Sequence, residues 1–311
     1  MKESLGKAVQ VADHPNAGLT DEEARQYHRS ARLGSWIGRA NHSLLYFVMT
    51  FGALLFMLPI YIMIAMSLKT PVEISNTSMW SWPAHPTLEN YRTVLADPDL
   101  AFIQKFWNTL LLAAVPTVAN VTTSAMIAYP FARLRFRGRD RLFLILLSTM
   151  MLPGVVTLIP SYVMYAKLGW VDTYKPFIIP AFFGGGAFSI FFIRQFMLGI
   201  PREMDEAAKI DGATNAAIFW RVLLPNCGPV LATLAVFGFV GGFNSFMGPL
   251  MMLNDPDKMT LQVGLRSLQT AHQTDFHLLM AGAMIVLLPI FIIFVACQRY
   301  FVRGLALSGG K

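Results

Sequence analysis

Few side chains in this 311-residue chain stand where catalysis would need them. The six histidines, His14, His28, His42, His85, His272 and His277, could ligate a metal or serve as bases, yet no two have the spacing of a metal pair. Two cysteines, Cys227 and Cys297, cannot build a disulfide scaffold. There is no nucleophile elbow and no carboxylate pair in an apolar setting. The glycine-rich end, Gly304 to Gly309-Gly310-Lys311, fails the phosphate-loop pattern, because Lys does not follow Gly309 and no helix remains to receive phosphate. The chain is therefore not expected to be an enzyme or to hydrolyse ATP by itself.

The polar residues left inside long apolar stretches are neutral: Asn120, Thr122, Thr123, Ser124, Ser148, Thr149, Asn244 and Ser245. Such a lining suits an uncharged, hydroxyl-rich solute better than an ion, and helix–helix hydrogen bonding is the other use of these groups. Asn120, Thr123, Asn244 and Ser245 are the pathway candidates. No acidic or basic side chain lies near the middle of any stretch, so a proton relay of intramembrane carboxylates or histidines is not expected. Coupling through backbone carbonyls stays open.

The elements that must position these residues follow from composition. Hydrophobic residues make up 55% and charged residues 14%, against about 25% charged in soluble domains, and mean hydropathy is +0.50. Six stretches of at least 18 residues lack Asp, Glu, Lys and Arg: 40–68, 106–132, 142–166, 176–193, 222–254 and 276–298. A hydrocarbon core of about 30 Å needs about 20 helical residues. The expected fold is all-α and integral to the membrane, with six transmembrane helices. With the N-terminus inside, 18 of the 25 Lys and Arg fall on cytoplasmic segments. Both termini are then cytoplasmic, and anionic lipid headgroups account for the net charge of +7 without nucleic acid. The organisation is a tail over 1–43, a permeation domain over 44–303 and a short tail over 304–311. Thr20 and Glu23 have capping-box spacing, which predicts a short surface helix in the first tail or else a disordered one.

Every stretch contains proline, tolerated in lipid where neighbours or a watery cavity satisfy the freed backbone groups. Gly184-Gly185-Gly186 in the shortest stretch predicts a bend beside a pathway or a tight helix crossing. Gly238, Gly241, Gly242 and Ser245 predict a tight crossing in the fifth.

Between the fourth and fifth stretches, residues 201–225 carry the most specific pattern. Pro201 suits a first helical position, and Glu203, Asp205 and Glu206 follow where the helix dipole favours acids. Gly212 can end that helix in the left-handed conformation, Thr214 can cap a second, and Pro225 stops it. Met204, Ala207 and Ala208 are expected on one face. A bent helix pair on the cytoplasmic rim could serve as a plain surface anchor.

Glu206-Ala207-Ala208, Gly212, Val222 and Leu224-Pro225 also reproduce the spacing of the EAA loop of permease subunits in binding-protein-dependent ATP-binding cassette importers, with Val222 where Ile is common. Pro86-Thr87-Leu88-Glu89-Asn90-Tyr91, Asn108-Thr109, Leu168-Gly169-Trp170-Val171-Asp172-Thr173-Tyr174 and Gln298-Arg299-Tyr300-Phe301-Val302-Arg303-Gly304-Leu305 resemble sugar-importer permeases of the maltose-transporter type. The resemblance implies a type I importer permease fold in a bacterial or archaeal cell membrane. It implies four kinds of partner: a second permease subunit, an ATP-binding subunit dimer holding ATP and Mg, an extracytoplasmic solute-binding protein and a sugar substrate. It further implies that Glu206, Ala207, Ala208, Asp211 and Gly212 dock the ATPase. The alternatives are a permease for another small neutral solute, such as an amino acid or polyamine, and a membrane assembly subunit without transport.

Overall fold

Proline and glycine decide where the helices of this apolar chain break. The computed structural model describes residues 21–98, 100–269 and 275–308, and within these the side chains from residue 44 to 296 except that of residue 267. Thr20 of the expected capping box lies outside the described residues. The chain divides into two units at residues 62 and 63. In the first, helix α1 (Asp21–Ser67) runs through the expected boundary at residue 43. Its Leu44–Pro59 segment exposes apolar side chains on all sides, with Phe56 80% exposed. A helix of that kind is stable only in lipid or against another protein.

The second unit begins with the last turn of α1. The short helices α2 (Pro71–Asn76) and α3 (Glu89–Ala96) lead into α4 (Phe102–Arg133). Next come α5 (Arg139–Ser148), prolonged by a 3-10 turn over Thr149–Met151, then α6 (Gly154–Lys167) and α7 (Lys175–Ile178). A 3-10 segment, Ile179–Phe183, precedes α8 (Ala187–Leu198), α9 (Glu203–Ile210) and α10 (Asn215–Ile218). A π-helical turn over Phe219–Leu223 joins α11 (Leu224–Asn226) to α12 (Gly228–Phe243), followed by α13 (Met247–Met252), α14 (Leu261–Ser267) and α15 (Phe276–Ser308).

Among the described residues, four stretches are long and apolar enough to cross a membrane: Leu44–Ser67, Phe102–Arg133, Lys175–Leu198 and Phe276–Ala296. Two bent pairs, Arg139–Met151 with Gly154–Lys167 at 96° and Asn215–Asn226 with Gly228–Phe243 at 74°, bring the number to as many as six when each pair counts as one span. The stretch 142–166 is thus not the straight span its hydropathy suggests. Pro153 holds Leu152 extended (ψ 116°), and the helix restarts in a new direction. The fifth stretch is also shorter than 222–254, since α12 ends at Phe243. Asn244 and Ser245 therefore sit at a helix end and not within a span.

Helix α4 is the spine of the second unit. Ala125, Ala128 and Ala132 face Ile190, Ile193 and Met197 of α8 and Ile218, Leu223, Val230 and Leu234 in one core cluster. Ala113 belongs to a second cluster with Phe239, Phe243, Leu261, Ala281 and Val286. Small residues let the backbones approach closely. A Cβ on Gly242 would lie 3.0 Å from Ala113 Cα, and one on Gly238 3.0 Å from Thr117 Oγ1. The tight crossing foreseen for the fifth stretch thus uses Gly238 and Gly242, while Gly241 is exposed.

The family-like segments at the extracytoplasmic ends are ties between loops. Asn90 Nδ2 donates to Ser67 O and Lys69 O, both at 2.8 Å, capping the end of α1. The buried Lys69 ammonium donates to Thr77 Oγ1, Ser78 O and Ser81 Oγ at 2.8–3.0 Å, so its three protons are all used. Asn108 Nδ2 donates to Asp257 O and Met259 O, and Thr109 Oγ1 accepts from Leu261 N at 2.7 Å. At Gly169 (φ +66°) helix α6 stops in a Schellman turn, with Trp170 N bonded to Tyr165 O and the two rings stacked 5.7 Å apart.

Asp172 closes the set. Its Oδ1 accepts from Asn254 N and Asp255 N at 3.0 Å, and its Oδ2 lies 2.9 Å from Lys258 Nζ. These bonds, the Asp255 amide first, hold the carboxyl at about 2, below the ordinary 3.8. A lowered folded value means the tie is intact above the unfolded value of 3.8 and is lost as pH falls through about 2. Hydrogen-exchange protection of the Asn254 and Asp255 amides, relative to the intrinsic rate at each pH, is expected to hold at pH 5 and to fall as pH approaches 2. Asp172→Asn should raise their exchange rates at neutral pH by only a few-fold, because the pair is solvent-screened.

Candidate functional site

Two places on the second unit are candidates for function, and α4 reaches both. The first is the 201–225 loop. Helix α9 starts with Glu203, Asp205 and Glu206 in its first turn and stops at Gly212 (φ +81°). The stop is a full Schellman turn: Gly212 N donates to Lys209 O at 3.0 Å and Ala213 N to Ala208 O at 2.9 Å. A Cβ at Gly212 would meet nothing within 4 Å, so glycine is there for its backbone angle. Thr214 Oγ1 then accepts from Ala217 N at 3.3 Å and caps α10. Before Pro225 the chain widens to a π-helical turn, in which Leu224 N bonds to Phe219 O.

The faces of α9 divide differently from the expectation. Glu203, Glu206, Ala207 and Ile210 form one exposed stripe at helical spacing, and Ile210 is 87% exposed. Met204, Asp211 and Gly212 are exposed as well. Ala208 instead turns inward, half-buried against the α4–α8 core, and so does not share a face with Ala207. Trp220, 49% exposed, presents a second apolar side chain to the same loop's surroundings. An exposed apolar and acidic rim of this kind is suited to a protein partner.

Asp205 was unremarkable in the sequence except as one of three acids near a helix start. In the structure it is buried, with its Oδ2 3.0 Å from Arg133 Nε at the cytoplasmic end of α4. The Arg133 side chain is 4% exposed and that of Asp205 11%. The contact is ionic and not a directed hydrogen bond, and Asp205 Oδ1 has no hydrogen-bond partner among the described residues. Arg133 Nη2 also donates to Ile200 O at 2.8 Å, just before α9. No local spacing signals this pairing, since the partners are 72 residues apart.

The second place is a cavity of about 480 Å³ between α4, the broken 175–198 segment and α12. Ala113, Pro116, Thr117 and Asn120 line it from α4, Gly185, Phe188 and Ser189 from the break and α8, and Phe237 and Gly238 from α12. None of its lining residues is charged. The glycine run bends the chain beside this cavity and packs it closely against α4. Gly184 and Gly185 adopt φ +106° and +52°, breaking the helix, and a Cβ on Gly185 would sit 2.4 Å from Asn120 Oδ1.

Of the four pathway candidates, the structure brings Asn120 to the cavity wall. Thr123 Oγ1 bonds to Ala119 O at 2.7 Å and reaches Ala181 O at 3.1 Å, tying α4 to the broken segment. Asn244 is exposed, donating to Val240 O and accepting from Gln262 Nε2 at 3.2 Å, and Ser245 is half-buried beyond the end of α12. Thr117 and Ser189 were not among the candidates. Thr117 shares the 3-4 spacing of Ala113, Asn120 and Ser124 on one face of α4, a signal that was available in the sequence.

The model of the family described as "binding-protein-dependent transport system inner membrane component" matches residues 120–307, which includes the whole 201–225 loop. The chain belongs to this family. Among the relatives of this permease, the arabinooligosaccharides transport system permease protein AraQ of Halalkalibacterium halodurans is 35% identical over 74% of this chain and 81% of its own. The trehalose/maltose transport system permease protein MalG of Thermococcus litoralis is 31% identical over 72% and 81%. A chain from the crystal structure of a bacterial ABC transporter that imports the acidic polysaccharide alginate superposes with a TM-score of 0.71 at 24% identity, covering 88% of this permease and 98% of that chain. The fold is that of a type I importer permease, and the protein is an integral membrane component of a transport system.

Proposed function

We propose that this permease forms half of the pathway through which an ATP-driven importer takes up a neutral sugar, an oligosaccharide or related polyol. The observation that carries this reading is the uncharged cavity, where the Asn120 amide and the Thr117 and Ser189 hydroxyls stand among Phe177, Phe188 and Phe237. Amide and hydroxyl groups exchange hydrogen bonds with sugar hydroxyls, and aromatic faces cover the apolar C–H faces of the ring. A polyamine would call for carboxylates, which this lining lacks. The oligosaccharide permeases among the relatives support the same choice of substrate.

Energy arrives from outside the chain. A separate ATP-binding subunit dimer holds ATP and Mg and grips the 201–225 loop through Glu206, Ala207, Asp211 and Gly212, while Ala208 seats the helix on its own subunit. A second permease completes the pathway, and an extracytoplasmic solute-binding protein delivers the sugar to the outer loops, 68–105 and 251–277. The test is uptake by the reconstituted complex from a panel of arabino-, galacto- and malto-oligosaccharides, amino acids and polyamines. Uptake of a neutral sugar is expected, and uptake confined to an amino acid or polyamine would refute the reading. Asn120→Ala should weaken half-saturation for that sugar by about 10-fold, the worth of one or two hydrogen bonds, whereas Thr123→Ala should leave it within about 2-fold.

A further inference from the structure

The buried Arg133–Asp205 pair stands where three elements meet. Arg133 is the last residue of α4, Asp205 lies in the first turn of α9, and Ile200, whose carbonyl accepts from Arg133, comes just after Gly199 at the end of α8. Arg194 Nε adds a bond from α8 back to Phe131 O at 3.2 Å. Both α4 and α8 run from this junction to the cavity: Asn120 is 13 residues up α4, about 20 Å at helical rise, and Ser189 is 11 residues up α8 from Ile200. Ala125, Ala128 and Ala132 pack the two helices together along that distance. Coupling in packed helices needs such a continuous path with two arrangements. The unpartnered Asp205 Oδ1 leaves the pair able to take a second donor in another arrangement.

We propose that Arg133 and Asp205 are positioning residues, the tie through which movement of the 201–225 loop reaches the solute cavity. The proposal rests on the coupling role assigned to that loop above. The pair transmits because its two charges are buried against each other and because, with the Arg133 bond to Ile200 O, it spans the loop and both cavity helices. A purely structural pair would be replaceable by apolar side chains of similar volume, since buried ion pairs are often no more stabilising than such replacements.

The experiment uses the assembled complex in proteoliposomes. Ser189→Cys is introduced as a reporter, with Cys227 and Cys297 replaced by Ser, and its labelling by a membrane-impermeant maleimide is followed with and without a non-hydrolysable ATP analogue. With Arg133 and Asp205 intact, the analogue should change the labelling rate by about 5-fold or more. In Asp205→Asn, which keeps shape and removes charge, the change should fall below about 2-fold while the ATPase subunits still co-purify. The double variant Arg133→Met with Asp205→Leu should assemble and be equally unresponsive. A full nucleotide response in either variant would overturn the proposal. Absence of any response with both residues intact would instead strike at the coupling role of the loop.

Discussion

Glu206→Lys should abolish solute uptake and solute-stimulated ATP hydrolysis while leaving the permease folded and inserted. The fold is spared because Glu206 is exposed. Reversing its charge in the first turn of α9 costs at most about 1 kcal/mol through the helix dipole. The effect on the partner is larger. Breaking one side of a buried charged contact across an interface costs roughly 2–5 kcal/mol, on the order of 30-fold or more in the coupled equilibrium. Membrane yield, co-purification with the ATPase and hydrolysis with and without sugar separate the two effects. Full stimulation in Glu206→Lys would remove the loop from the coupling path.

Gly185→Val should cut uptake by about 10-fold or more with the outer loops unaffected. Valine at φ +52° is strained by about 1–2 kcal/mol, and its Cβ would stand 2.4 Å from Asn120 Oδ1. The amide must leave the cavity wall or the break must shift, and forcing extra atoms into a packed site costs about 1–3 kcal/mol more. Gly186→Ala is the control, since a Cβ there meets nothing within 4 Å and its φ is −107°. Uptake kinetics of the two variants decide the matter, and equal activity would place the pathway elsewhere.

What the sequence made legible was local. Gly212 and Thr214 each act within one turn, and the helix stop and the cap they set were readable, whereas Pro201 lies just before α9 and Pro225 falls inside α11 and stops no helix. Hydropathy measured apolar length over 142–166 and was blind to direction, so the 96° break at Leu152-Pro153 went unseen although the proline was in view. The cavity was half legible. Asn120 stood out as an amide in an apolar stretch, but Ser189 and Phe237 join it only through the crossing of α4, α8 and α12, which tertiary packing decides. Asp205 shows the limit most clearly. Helix-dipole reasoning explained an acid at that position, and only the fold could place Arg133 beside it.

The central claim is that this permease is moved by a separate motor and carries a neutral sugar through an uncharged cavity. Oligosaccharide accumulation by proteoliposomes holding the permease, its partner subunits and the sugar-loaded receptor tests it most directly. Accumulation should require ATP on the ATPase side and vanish when the ATP-binding subunits are left out. Accumulation driven by the permease without them would contradict the account.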